Sequence, residues 1–222
     1  MQNPGFSRLV FLLIIGAAVC SGAAACKTAG GGSSAGTKIL QPGAPGQDTK
    51  TINTAQATDL SKVQATAADI KFMQGMIGHH AQAVEMVALI ADRSANPDMK
   101  KLGLRIQISQ DDEMNMMRKY LADRGAAVPG PHAHHEPGGF MPGMLTPEEM
   151  TQLANAKGVE FDRLFLMGMI KHHGGAITMV EDLFKTPGAA QEGGIFAFAS
   201  DVDADQRMEI DRMGALLKEI MK

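Results

Sequence analysis

The stretch that decides the fold is Phe72–Val87, FMQGMIGHHAQAVEMV, because it returns as Phe165–Val180, FLMGMIKHHGGAITMV. The offset is 93 residues, and Met76, His79, His80, Ala83 and Met86 fall on Met169, His172, His173, Ala176 and Met179. An internal repeat constrains the architecture before any single residue is interpreted. Phe72, Met76, His79, Ala83, Met86 and Ile90 step by three and four, the spacing of one helical face. At about 100° per residue, His79 and His80 flank Met76 on that face, and small Ala83 lies one turn further on.

Around the first copy the pattern predicts a helix from Thr66 to about Arg93, opened by a capping box of Thr66 and Asp69 and broken by Ser94-Ala95-Asn96-Pro97. A second helix runs from Pro97 to Arg124, with Gly125 as the residue that ends it. Its inward stripe is Ile106, Gln110, Met114, Met117 and Leu121. Gln206, Glu209, Ile210, Met213 and Leu217 repeat Gln110, Glu113, Met114, Met117 and Leu121 at an offset of 96, so the whole hairpin is duplicated. Thr146-Pro147-Glu148-Glu149 starts a short helix that ends near Gly158. The repeat helix then spans about 159–184, and a final helix carries the Gln206–Leu217 stripe. Gly193 and Gly194 oppose helix at its start. The fold class is all-α: an antiparallel four-helix bundle made of two repeated helical hairpins, with repeats over about 66–125 and 159–222. No strand signal competes, and pseudo-twofold symmetry brings the two His pairs together.

The ends of the domain read differently. Residues 1–25 have the form of a secretory signal: Arg8, an apolar run Leu9–Val19, and Ala23-Ala24-Ala25 before Cys26. That arrangement resembles a lipobox, although Ala23 stands where Leu is commonest, and it predicts lipidation at Cys26 and anchorage at a membrane. An ordinary cleavage at the same bond would leave a soluble exported protein. Cys20 would leave with the signal, so no intramolecular disulfide is available. Residues 26–59, with GGGSSAG and QPGAPGQ, read as a flexible tether. The helical domain is expected over 60–222. The net charge of −3, one Tyr and no Trp exclude an obvious nucleic-acid partner.

Methionine is the compositional outlier, with 17 residues. A Met stripe at helical spacing is ordinarily core. Two adjacent histidines on the apolar face of each of two related helices are a different matter. Four buried imidazoles need four sets of partners, and a shared metal would supply many of them. Imidazole with thioether is a ligand set for copper, the thioether favouring Cu(I), with Cu(II) also accessible to the imidazoles. The loop 126–145 holds the other three histidines, His132, His134 and His135, followed by Met141 and Met144, and forms a second, looser candidate site.

At GMIGHHAQAVEM and GMIKHHGGAITM the chain resembles the bacterial domain-of-unknown-function family 305 (DUF305). The trailing helices, QDDEMNMM and QRMEIDRM, match the family's Gln-x-x-Glu-hydrophobic-x-x-Met. The resemblance covers about residues 60–222. It implies a ferritin-like bundle and an association with copper binding and copper tolerance in the cell envelope. Carried over by position, the implied ligands are Met76, His79, His80, Met86, Met169, His172, His173 and Met179. Met114, Met117 and Met213 stand behind them on the trailing helices. The loop histidines are not part of the family hallmark.

The leading expectation is therefore an envelope protein that captures, buffers or transfers copper to a partner protein, with a homodimer an ordinary outcome. One alternative is a ferritin-like metal-dependent oxidase. Di-iron sites need Glu-x-x-His, and here Met76 and Met169 occupy the Glu positions, leaving only Glu113 and Glu209 as inward carboxylates. The other is a helical interaction module that binds no metal.

Overall fold

The computed structural model describes residues 38–41, 48–59, 63–130 and 140–222. The chain divides after Thr58 into two units. In the first, β1 (Ile39–Gln41) pairs antiparallel with β2 (Lys50–Ile52), Leu40 opposite Thr51, and α1 (Thr54–Thr58) follows. Residues 26–59 read in sequence only as a flexible tether, and this short hairpin and helix lie within it. Ile39, Thr51 and Ile52 are β-branched and supply the local preference that the surrounding Gly and Pro obscured. Residues 1–25, read above as a secretory signal, Cys26 and the loop histidines His132, His134 and His135 lie outside the described residues.

The second unit is all-helical: α2 (Ala67–Ala88), α3 (Ile90–Arg93), α4 (Pro97–Asp123), α5 (Pro147–Asn155), α6 (Gly158–Lys185) and α7 (Gly193–Ile220). This unit runs from Asp59 to Lys222. α2 packs on α4 and α6 on α7, and the two hairpins meet where α2 lies against α6. The four long helices thus form the expected bundle of two repeated hairpins.

The capping residues act as their sequence implies. Thr66 Oγ1 accepts from Asp69 N–H at 3.2 Å, and Asp69 Oδ2 accepts from Thr66 N–H at 2.7 Å. Thr146 and Glu149 do the same at the start of α5. Gly125 has φ +63°, which suits the residue that ends α4. Two boundaries differ from expectation. The first helix is interrupted at Leu89, where the backbone tightens, so that Leu89 N–H reaches Met86 O, and no Pro or Gly marks the place. Gly193 and Gly194 open α7 instead of preceding it. First-turn N–H groups have no intrahelical partner in any case, so poor helix formers cost little there. A side chain at Gly194 would press on Glu192 Oε1 at 3.1 Å, and that carboxylate takes hydrogen bonds from Tyr120 and Arg124.

Two apolar clusters fill the bundle. One joins Phe72, Met76, Met114, Met117, Val180 and Phe198; the other joins Met86, Ile106, Phe161, Phe165, Met169 and Met213. Between them, Gln110 separates Ile106 from Met114 along α4, and Gln206 separates Val202 from Met213 along α7. The level where the clusters part is occupied by the paired histidines and their polar neighbours.

Candidate metal centre

Each histidine owes its place to the helical period. His79 and His80 follow Met76 on the buried face of α2, and His172 and His173 follow Met169 on α6; none of the four is more than 1% exposed. The pseudo-twofold relation brings His79 and His172 against each other, with ring centroids 3.8 Å apart and planes tilted by 40°. His80 lies 6.4 Å from His79, and His173 lies 6.2 Å from His172. The four rings therefore form one layer across α2 and α6.

Every ring is held through Nε2. His80 donates to Glu113 Oε2 at 2.5 Å and His173 donates to Glu209 Oε2 at 2.6 Å. Ser109 supports Glu113 by donating to its other oxygen at 3.2 Å. His172 donates to the carbonyl of His79 at 3.0 Å. Symmetry would return His79 to the carbonyl of His172, but His79 donates instead to Pro142 O at 2.9 Å. These carboxylates and carbonyls accept hydrogen bonds, which puts the ring hydrogen on Nε2. All four Nδ1 atoms are buried and have no hydrogen-bond partner among the described residues. The buried Oε1 atoms of Gln110 and Gln206, at the same level, are also unpartnered.

Burial, followed by the neighbouring His80, pushes the His79 pKa down to about 3. Burial and the adjacent imidazoles hold His172 well below its usual value. Both rings are therefore neutral at ordinary pH, with a lone pair on Nδ1. A buried acceptor left unpaired costs about 1–3 kcal/mol, and the layer carries four of them on imidazole alone. Neutral imidazole with one nitrogen tied to a carboxylate or carbonyl, and the other free, is the usual state of a metal-ligating histidine. Among the described residues no three His, Cys, Asp or Glu side chains stand as a ready-made ligand set. The imidazole donors are present and oriented, and closing them around an ion requires adjustment of the rings or a contribution from methionine.

The methionines divide. Met76, Met114 and Met117 lie in one apolar cluster, and Met86, Met169 and Met213 in the other, all buried. Met179 is half-buried at the edge of the bundle. His132, His134 and His135 fall outside the described residues.

The sequence reading missed the segment that crosses the layer. Residues 141–145 lie over the meeting of α2 and α6 and are clamped on both sides. Gln82 donates to Leu145 O at 2.9 Å and accepts from Leu145 N–H at 2.8 Å. At the repeat-related position of α6 stands Gly175, where a side chain would sit 1.8 Å from Pro142 O. Gln82 and Gly175 differ in size between the two copies, but so do Gly78 and Lys171, so the difference alone does not point to the segment.

The sequence model for "Domain of unknown function (DUF305)" matches residues 69–217. The chain belongs to the DUF305 family. A DUF305 fragment from Deinococcus radiodurans has a similar structure, with a TM-score of 0.61 and 30% identity over 70% of this chain and 98% of that one. A DUF305 protein from Streptomyces coelicolor, whose description calls it secreted, aligns with a TM-score of 0.60 and 30% identity over 69% and 93% of the two chains. CopM in its Cu(II)-bound form aligns with a TM-score of 0.56 and 25% identity over 68% and 96%. CopM has also been solved with silver bound, at 26% identity and a TM-score of 0.53. Uncharacterized protein L153 of Acanthamoeba polyphaga mimivirus is 38% identical over 63 residues, 28% of this chain. The matched region spans about two-fifths of that viral protein's length, 41%.

Proposed function

We propose that this DUF305 protein is an exported copper-binding protein that captures, buffers or hands on the ion through the histidine layer of its bundle. The observation that carries this reading is the set of four buried imidazoles whose Nδ1 atoms have no partner, each ring fixed from behind through Nε2. His79, His80, His172 and His173 supply the nitrogen donors. Met76 and Met169 precede the pairs in sequence, and Met86 and Met179 follow them, placing thioethers within the same helices for Cu(I). Met114, Met117 and Met213 line the apolar clusters to either side. Glu113 and Glu209 orient His80 and His173 and leave Nδ1 of each free. The metal-bound forms of CopM and the secreted description of the Streptomyces relative support the reading from outside this chain. In the same reading, residues 1–25 direct export, Cys26 is the lipid anchor, and the loop histidines His132, His134 and His135 are a looser collecting site.

The test is a competition titration of Cu(I) into residues 27–222, with Zn(II) and Fe(II) beside it and the His79/His80/His172/His173 quadruple Ala variant as control. Tight Cu(I) binding that disappears in the variant is the expected result. Copper binding unchanged in a folded variant moves the site away from the layer, and no copper binding in either protein removes the proposal.

A further inference from the structure

The segment that covers the histidine layer meets the two halves of the bundle unequally. At Gly168 on α6, a side chain would touch Leu145 at 3.1 Å and Met86 Cε at 3.4 Å. At the repeat-related Gly75 on α2, it would touch Met141 Sδ at 3.2 Å and Met179 Cε at 3.4 Å. Leu145 and Met86 are buried, so an aliphatic side chain satisfies packing at that end. Met141 and Met179 are only half-buried and face a cavity of about 610 Å³, whose walls also include Phe72, Pro142 and Asp182. Met144 has a different part. It is buried, and its sulfur accepts the Met141 N–H at 3.3 Å, which shapes the turn that presents Met141. The next residue, Pro142, is the one whose carbonyl holds His79. The thioether at the cavity and the His79 imidazole are thus tied to consecutive residues of one short segment.

We infer that Met141 and Met179 form a soft-metal port at Gly75, which takes up Cu(I) or its congener Ag(I) from solvent ahead of the histidine layer. The inference rests on the metal-binding reading of that layer and adds an outer site to it. Thioethers select soft monovalent ions over Zn(II) and take up no proton at accessible pH, so the port works at pH values where protonation makes imidazole give up its metal. Two thioethers hold an ion loosely, which suits transfer inward. Glycine at 75 lets Met141 Sδ and Met179 Cε both approach α2; an added Cβ would press on the sulfur at 3.2 Å and touch the methyl at 3.4 Å.

The test uses residues 27–222, which omit both cysteines; the core of the helical unit lies wholly within 59–222. Ag(I) is titrated into protein carrying ¹³C-methyl methionine, in the native sequence and in the quadruple His→Ala variant. The expected result is that the Met141 and Met179 methyl signals move in both proteins. The M141L/M179L variant, nearly unchanged in side-chain volume, should bind Ag(I) at this step about tenfold more weakly. Ag(I) that binds while these two methyls stay fixed overturns the port and leaves the histidine-layer reading standing. Failure of the native protein to bind Ag(I) or copper at all overturns both. If the quadruple variant does not fold, the M141L/M179L comparison decides alone: unaltered Ag(I) affinity there overturns the port.

Discussion

Glu113 and Glu209 fix which nitrogen of His80 and His173 is free. A carboxylate behind Nε2 sets the ring orientation and makes Nδ1 the better donor, and removing such a partner typically lowers metal affinity tenfold to a hundredfold. Glu113→Gln and Glu209→Gln keep the shape and remove the charge, so each should weaken Cu(II) binding about tenfold in a chelator competition while leaving a folded protein. Affinity that does not move would make the carboxylates packing partners only. His79 supports a pH prediction for the metal-free protein. Its pKa is about 3 in the fold against 6.5 for the free side chain. Between those values the unfolded chain holds a proton that the folded chain does not. Stability is therefore greatest above about pH 6.5 and falls as the solution is acidified, by about 1.4 kcal/mol per pH unit for each such group. His172 is shifted in the same direction and adds to the slope. Urea midpoints between pH 7.5 and 5 should drop accordingly, and His79→Gln should flatten the dependence.

At the scale of elements, the cleanest contrast is between two neighbouring glycines of α6. Nothing lies within 4 Å of a side chain added at Gly174, whereas one at Gly175 would collide with Pro142 O at 1.8 Å. Gly174→Ala should raise stability by up to about 1 kcal/mol through helix propensity. Gly175→Ala should lower it by about 1–3 kcal/mol and push residues 141–145 off the bundle. Equal effects in thermal melts would mean that the segment does not sit on α6 as described. The same contrast bears on what could be read in advance. The repeat, the helical faces, both capping boxes and the pairing of the His motifs follow from spacing alone, because helix periodicity and cap chemistry are local. The covering segment does not, since Gln82 and Gly175 acquire their meaning only from a loop more than 30 residues away from either. The interruption at Leu89 carries no Pro or Gly, and the opening of α7 at Gly193 runs against propensity. The short hairpin of β1 and β2 was hidden by its Gly- and Pro-rich surroundings.

For the whole molecule, duplication explains why the polar layer sits at mid-bundle. Two antiparallel copies of one hairpin place their His pairs at the same height, and apolar clusters close off either side. Such a layer weakens the empty protein, because buried unpaired acceptors contribute nothing to stability, and it strengthens the loaded one. An ion that binds the folded state alone stabilises it by RT ln(1 + [L]/Kd), about 2.7 kcal/mol at a hundredfold excess over Kd. For a helical unit of this size that corresponds to roughly 5–10 °C in Tm. Copper should therefore raise the Tm of residues 27–222 by that amount, and a chelator should reverse the shift. The quadruple His→Ala variant separates the two contributions. Its metal-free form trades the unpaired imidazoles for cavities and for Glu113 and Glu209 without their His partners, so the decisive readout is that its melting should be indifferent to copper. A variant that still gains several degrees from the ion would place the stabilising site outside the layer, whereas a native protein whose Tm ignores copper would show that the four imidazoles are not its ligands.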